Sequence, residues 1–264
     1  MKAIGVFDSG VGGLTVVKEL IRQLPAEDII YFGDTARVPY GIRSRETIIR
    51  FSIEDTLFLL KHDIKLICVA CNTVSSVALP LIKSHFKVPI VGVIQPGARE
   101  AVYATRNKRI GVIGTRGTIK SLAYEKEIKQ LDPKVKVISA ACPLFVPFAE
   151  EGWYDGDVVL NVAKVYLKPL AAARVDTVIL GCTHYPLLKA VIRKVLGQQV
   201  ALIDSAKQVA MEVKRILVHE GLLNASGRGK QEFCVSDNPE WFQGLAKKFL
   251  GRPINNVRKV DISV

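Results

Sequence analysis

The chain has 264 residues and a formal net charge of +12, with 49% hydrophobic and 7% aromatic residues. This composition is typical of an ordinary globular protein, and the length suffices for one large domain or two small ones. No apolar run approaches the roughly 18–20 residues of a membrane helix. Asp8 interrupts the N-terminal apolar run too early for a signal peptide. These features predict a cytoplasmic protein that does not associate with membranes.

The positive charge is spread along the chain and mixed with acidic residues, and no aromatic residues interleave with its small basic clusters. Nucleic-acid-binding proteins usually concentrate their positive charge on one face. A solvated basic surface is therefore favoured over the alternative of a DNA-associated binding protein. Its field would also attract a small anionic substrate.

Short β-branched apolar runs alternate with helical patterns nearly from end to end,. The predicted strands are 3–7, 28–32, 65–70, 89–94, 109–113, 135–140, 175–180 and 199–203, with late candidates at 231–235 and 256–262. The predicted helices are 14–24, 44–61, 73–86, 118–131, 157–173, 187–196 and 207–220. This alternation predicts an α/β fold with mostly parallel, covered sheets.

A weak internal repeat divides the chain. The stretch "IGVFDSG" at 4–10 resembles "IGVIGTRG" at 110–117, and "LICVACNT" at 66–73 resembles "VILGCTH" at 178–184. We infer two pseudo-symmetric, Rossmann-like lobes, one formed by 1–97 and 207–264 and the other by 98–206. Ligands of open α/β sheets bind at the carboxyl ends of the strands. Both cysteine-containing motifs are therefore expected in one cleft between the lobes.

Two polar turns follow predicted strands in the first lobe. The stretch "VFDSGVGGLT" at 6–15 is a strand, a glycine-rich turn and a helix, a pattern that binds anions through backbone N–H groups,. It matches neither the dinucleotide fingerprint nor the P-loop, and Asp8 could equally cap the helix. The loop "FGDTARVPYG" at 32–41 offers hydrogen-bonding groups that include Tyr40 and Gly41. The alternative for this loop is a surface turn shaped by Pro39.

The five cysteines are an odd number and widely spaced, which argues against a disulfide framework,. Cys68 and Cys71 are three residues apart on a strand and so point to opposite faces, which places Cys68 in the core. Cys71 ends its strand before a helix, where a thiol is expected to have a lowered pKa. Cys182 ends its own strand in the matching place. This symmetry favours a catalytic pair over buried cysteines, and the spacing is poor for zinc.

These motifs identify a family resemblance. The stretches "FDSGVGGLTV", "YFGDTARVPYG", "VACNTVS", "LGCTHYPLL" and "LIDSA" occur in order, and together the chain closely resembles the cofactor-independent glutamate racemases. The resemblance implies that Cys71 and Cys182 are catalytic, with Asp8 and His184 as auxiliary groups that manage the thiol protons. The positions that match the family's substrate-binding groups are Asp8, Ser9, Tyr40, Gly41, Asn72, Thr73, Thr183 and His184. The family also has an acidic residue in its active-site cleft, and either Glu150 or Glu151 matches that position.

The implied activity is interconversion of L- and D-glutamate for peptidoglycan synthesis, without cofactor or metal, by a homodimer. Racemisation needs a base on one face of the α-carbon and an acid on the other, which two opposed thiols can supply. The alternatives are an aspartate or hydantoin racemase of the same superfamily and a thiol hydrolase. A hydrolase would leave Cys71 without a role. Aspartate racemases tend to carry Thr-Glu after the second cysteine, so Thr183 followed by His184 favours glutamate.

Overall fold

The structure is a computed structural model that describes residues 2–262. Its strands follow the predicted positions closely. They are β1 (Ala3–Asp8), β2 (Ile29–Gly33), β3 (Ile64–Val69), β4 (Ile90–Gly92), β5 (Arg109–Gly114), β6 (Lys136–Ala141), β7 (Thr177–Gly181), β8 (Ala201–Ile203), β9 (Gln231–Val235) and β10 (Val257–Lys259).

The strands of the described residues form two sheets in which all pairings are parallel. The first sheet has the order β10-β9-β2-β1-β3-β4, and the second has the order β6-β5-β7-β8. The prediction of an α/β fold with parallel sheets is confirmed. In each sheet the strand that comes first along the chain, β1 or β5, carries the repeated segment and lies at or beside the centre of the sheet. This shared arrangement accounts for the similarity of the two halves.

The helices connect the strands on both sides of the sheets. They are α1 (Leu14–Gln23), α2 (Arg45–Leu60), α3 (Asn72–Val77), α4 (Leu79–His85), α5 (Ile94–Ala104), α6 (Arg116–Lys120), α7 (Ala123–Leu131), α8 (Phe145–Glu151), α9 (Asp157–Ala172), α10 (Lys189–Leu196), α11 (Ser205–His219) and α12 (Pro239–Leu250). Short 3-10 helices occupy Tyr40–Ile42 and Tyr185–Leu188.

Two predicted helices are each divided in the structure. The helix predicted at 73–86 is α3 and α4, because Pro80 in the first turn of α4 cannot donate the hydrogen bond that a continuous helix requires,. The helix predicted at 118–131 is divided by Leu122, whose φ of 57° is left-handed. Helices α5, α8 and α12 were not predicted.

The core of the described residues contains an apolar cluster that reaches both sheets. Along β3 and just beyond it, Leu66 and Cys68 belong to this shared cluster, whereas Ile67, Val69 and Cys71 belong to a second cluster on the opposite face. The predicted separation of Cys68 from Cys71 is confirmed, and Cys68 is fully buried. The strand therefore delivers only one of the two thiols to the end of the sheet.

The end of the chain contributes to the first sheet, because β9 pairs with β2 in the register Tyr31 to Phe233. Helix α11 packs against both α1 and α5. The predicted lobe boundaries at 97/98 and 206/207 fall inside α5 and α11, so two helices run across them. The division into lobes at those residues stays a prediction. Among residues 2–262, no helix has both the length and the apolar character needed to cross a membrane.

Candidate active site

Four turns, each at the carboxyl end of a parallel strand, converge on one small cavity. Ser9 follows β1, Cys71 follows β3, Thr115 follows β5 and Cys182 follows β7. Since β1 and β3 belong to one sheet and β5 and β7 to the other, the cavity lies in the cleft between the sheets. The predicted site residues that line it are Ser9, Tyr40, Gly41, Cys71, Asn72, Thr73, Cys182, Thr183 and His184.

The environment of Cys71 favours a protonated thiol. Cys71 is the N-cap of α3, it is 5% exposed, and its thiol donates to the Ser9 hydroxyl at 3.7 Å. Burial raises the pKa of Cys71 to about 12, and the nearby Asp8 carboxylate adds to the increase. The predicted lowering of this pKa is wrong, because α3 has only six residues and its weak terminal field cannot offset full desolvation,. Cys71 is therefore equipped to act as an acid.

The environment of Cys182 is different because a cationic side chain lies beside it. The Sγ atom of Cys182 is 3.8 Å from Nδ1 of His184, whose Nε2 is 3.0 Å from Oε1 of Glu150. Burial alone would lower the pKa of His184, but Cys182 and Glu150 outweigh it and raise the pKa to about 10. An imidazolium next to a sulfur stabilises the thiolate form. This contact places a group that can hold and return a proton directly beside Cys182,.

The glycine-rich turn after β1 allows the two halves of the site to approach closely. A Cβ atom on Gly12 would lie 2.3 Å from the Thr183 hydroxyl and 2.6 Å from Nδ1 of His184, so only glycine fits there,. Asp8 is fully buried behind the cavity wall, where Gly10 N–H donates to it at 3.1 Å. Thr183 donates to the same carboxylate at 3.4 Å, which joins the first sheet to the turn after β7.

The carboxylate of Asp8 is unusually easy to protonate. Burial raises its pKa, while the positive charge of His184 and the hydrogen bonds from Gly10 and Thr183 oppose that increase. A buried carboxylate near a thiol can exchange a proton with it as the charge of the site changes. This position is compatible with the auxiliary role that the family resemblance implies for Asp8.

Tyr40 lines the cavity, but its hydroxyl is occupied elsewhere. The hydroxyl contacts the carboxylates of both Asp34 and Asp55, the second at 3.0 Å, and Arg37 bonds the same two carboxylates. A tyrosine hydroxyl has one proton, so one of the two carboxyl groups must donate to it. Burial and the charge of Asp34 raise the pKa of Asp55 well above its usual range, which favours the protonated form of this carboxyl group. Tyr40 therefore fixes its loop through this buried cluster.

The two candidate cleft acids are separated by the structure. Glu150 contacts His184, and its side chain is 18% exposed. Glu151 is exposed and does not line the cavity. Glu150 is therefore the acid that can influence the site.

Several residues at the site were not predicted. Thr115 lies where the repeat aligns it with Ser9, and its hydroxyl is 2.9 Å from that of Thr73. The repeat was the signal that could have identified it. Tyr124 donates to Asn72 at 2.7 Å, and the ring of Phe249 in α12 lies edge-on to His184 at 5.3 Å. No sequence signal connects these last two residues to the cysteines.

Within residues 2–262, no group of three or more His, Cys, Asp or Glu side chains is arranged to hold a metal ion. The cysteines of the described chain are all free and buried. The cavity itself offers two thiols, one imidazole, and hydroxyl and amide donors. The carboxyl groups of Asp8 and Glu150 lie outside it and bond to its lining residues Thr183 and His184.

Comparisons with known proteins identify the family. The model of the Asp/Glu/Hydantoin racemase family matches residues 4–213. A curated glutamate racemase from Geobacter metallireducens is 54% identical over 262 residues, which cover 99% of this chain and 97% of that relative.

Solved structures agree over almost the whole chain. A glutamate racemase isoform from Bacillus anthracis is 45% identical with a TM-score of 0.95, covering 98% of this chain and 97% of that one. The glutamate racemase of Francisella tularensis, solved in complex with D-glutamate, is 39% identical with a TM-score of 0.93, covering 99% and 98%. The fold, the geometry at the strand ends and these similarities agree, and the chain belongs to the glutamate racemases of the Asp/Glu/hydantoin racemase family.

Proposed function

We propose that the protein interconverts L- and D-glutamate with two cysteine thiols and no cofactor, and thereby supplies D-glutamate for peptidoglycan. The observation that carries the proposal is the placement of Cys71 and Cys182 at matching strand ends of two sheets, both lining one cavity. The relative from Francisella tularensis was solved with D-glutamate, which supports this choice of substrate.

The surroundings of the two cysteines fit the reaction that starts from L-glutamate. The thiolate of Cys182 takes the proton of the α-carbon, so that a C–H bond breaks and an S–H bond forms. The thiol of Cys71 then gives its proton to the opposite face of the same carbon. The products are D-glutamate, a Cys71 thiolate and a Cys182 thiol, and this form of the enzyme is ready for the reverse reaction.

Fixed hydrogen bonds must stabilise the carbanion, because a reaction without a cofactor has no other group that would delocalise the negative charge of the carbanion. The donors that line the cavity include the side chains of Ser9, Asn72, Thr73 and Thr183. Their preorganisation comes from neighbours: Asn72 is bonded by Tyr124, and Thr73 by the hydroxyl of Thr115. Donors already in place cost little reorganisation when negative charge develops on the substrate.

We also expect a cytoplasmic homodimer that does not bind nucleic acid. Cytoplasmic D-glutamate would be available to the enzymes that build the cell-wall precursor. Sedimentation equilibrium would establish the number of chains in solution. Activity is expected to survive chelation and exhaustive dialysis, and its loss on chelation with recovery on zinc would contradict a metal-free reaction.

Isotope incorporation tests the two-thiol mechanism. The reaction from L-glutamate is run in D₂O and stopped at low conversion. A Cys71 thiol that carries solvent deuterium should label the D-glutamate product, while the recovered L-glutamate should stay almost unlabelled because Cys182 holds the abstracted proton on the other face. Extensive deuterium in the remaining L-glutamate would contradict two opposed thiols, since it indicates one group that returns solvent protons to both faces.

A further inference from the structure

A buried tyrosine contacts the turns of both cysteines, although it lies outside the cavity itself. Tyr124, on α7, is 2% exposed. Its hydroxyl donates to Oδ1 of Asn72, the residue directly after Cys71, at 2.7 Å. Its ring lies beside Gly181, the residue directly before Cys182, where a Cβ atom would be 3.3 Å from the ring.

The hydroxyl of Tyr124 has a second partner that fixes the direction of the hydrogen bonds. It lies 3.2 Å from the hydroxyl of Ser205 at the start of α11. The only proton of the tyrosine hydroxyl goes to Asn72, so Ser205 donates to Tyr124. Gly97 in α5 makes room for this pair, because a Cβ atom there would be 2.6 Å from the Ser205 hydroxyl. The chain of bonds therefore runs from Ser205 through Tyr124 to Asn72.

This chain of bonds holds the oxygen of the Asn72 amide on Tyr124, so that the nitrogen is the end left outside the chain of bonds. The orientation of an asparagine amide follows from its hydrogen-bond network, and here the oxygen is held by Tyr124,. The Nδ2 atom donates no hydrogen bond within residues 2–262, although Asn72 is only 4% exposed and lines the cavity. An amide nitrogen can bind a carboxylate but not an ammonium group, whereas the amide oxygen has the opposite preference.

We propose that Tyr124, held by Ser205, is a positioning residue that turns the Asn72 amide so that its nitrogen binds the α-carboxylate of the substrate beside Cys71. The inference rests on the proposed function, because it assigns a substrate group to one side of the same cavity. Without the tyrosine hydroxyl the amide can rotate by 180°. Its oxygen would then face the carboxylate and repel it.

Two simple probes separate the carboxylate from the ammonium group. Glutarate has two carboxylates and no ammonium, and 4-aminobutyrate has an ammonium but no α-carboxylate. In the full chain, Tyr124→Phe should weaken glutarate binding about tenfold, the usual effect of losing a hydrogen bond to a charged group. Binding of 4-aminobutyrate should change by less than about twofold, since that probe does not need this donor. Calorimetric titration measures both dissociation constants.

The matched control is Tyr166→Phe, which removes a hydroxyl on α9 whose partner is the backbone N–H of Leu144. It should leave both dissociation constants unchanged. In an Asn72→Ala background, Tyr124→Phe should have no further effect on glutarate. A full additional loss there would overturn the proposal, because the tyrosine would then act without Asn72. Equal weakening of both probes by Tyr124→Phe would overturn it as well.

A second variant covers the case in which Tyr124→Phe lowers the melting temperature so far that binding cannot be measured. Ser205→Ala keeps the bond between Tyr124 and Asn72 and removes only its support, so glutarate binding should weaken by a smaller factor in the same direction. Unchanged binding in both variants would refute the inference. Racemisation of glutamate by the unmodified enzyme is measured in parallel, and its absence would refute the proposed function separately.

Discussion

Replacing Glu150 with Gln should shift the alkaline limit of activity to lower pH. The Glu150 carboxylate contacts Nε2 of His184 at 3.0 Å and, with Cys182, raises the pKa of His184 to about 10. A hydrogen bond between charged groups contributes about 1.5–3 kcal/mol. The Glu150 side chain is 18% exposed, and water therefore screens part of this energy. We therefore expect the Glu150 carboxylate to stabilise the imidazolium of His184 by about 1.4 kcal/mol, which equals about one pKa unit.

The sign of the shift follows from the charge of the protonated imidazole. Removing the carboxylate removes a group that favours imidazolium, so the pKa of His184 falls and the proton is lost at lower pH. The Cys182 thiolate then loses its cationic partner, and the alkaline limb of kcat/KM should move from near pH 10 to near pH 9,.

The assay is the dependence of kcat/KM on pH between 7 and 11, from L-glutamate, for three proteins. Glu151→Gln is the matched control, because it removes an adjacent but exposed carboxylate that does not contact His184. Deprotonation of the substrate ammonium is common to all three proteins and cancels in the comparison. An alkaline limb that stays in place in Glu150→Gln, or that moves equally in both variants, would refute the reasoning.

Three further predictions follow from the site. Cys71→Ser and Cys182→Ser should each abolish racemisation while the fold stays intact, and full activity of Cys71→Ser would contradict the two-thiol reaction. Cys68→Ala should keep its turnover and lose only packing stability. The kcat/KM for aspartate should be lower than for glutamate by roughly 10–200-fold, the usual effect of one methylene group in a pocket, and a preference for aspartate would contradict the substrate assignment. Tyr40→Phe should lower the free energy of unfolding in urea by about 1–3 kcal/mol, because Asp34 and Asp55 lose a buried partner,. A large rise in KM without that loss of stability would instead indicate that the Tyr40 hydroxyl binds substrate.

Sequence patterns located the strands well because hydrophobic periodicity reflects burial directly. Strands β1, β3 and β7 are buried along their whole length, so their apolar runs stand out and end where the polar turns begin. Helices α5 and α8 were missed because Pro96, Gly97 and Pro147 weaken the helical signal of short segments,. Helices α5 and α8 form because of tertiary packing, which cannot be predicted from a local sequence pattern.

The candidate site was predictable where the chemistry is local to a motif. Cys71 and Cys182 sit next to strand ends, and the repeat indicated that they would meet, whereas Ser9 was implied only by the family resemblance. The protonation of Cys71 was not predictable, since it depends on complete burial by distant parts of the chain. The role of the Tyr40 hydroxyl was also hidden, because its partner Asp55 comes from α2 and only the folded chain brings the two together.

The pairing of β2 with β9 has a consequence for the order in which the chain folds. Ile29 pairs with Gln231, about two hundred residues later, whereas every strand of the second sheet lies between Arg109 and Ile203. Closing so long a loop is slow, and a growing chain without β9 presents the apolar stretch "IIYFG" of β2 as an unpaired sheet edge,. We expect refolding followed by hydrogen exchange to protect the amides of β5 and β7 before those of β2. Until residues 231–235 have been synthesised, that edge has no partner strand and is exposed to aggregation or to binding by a chaperone,.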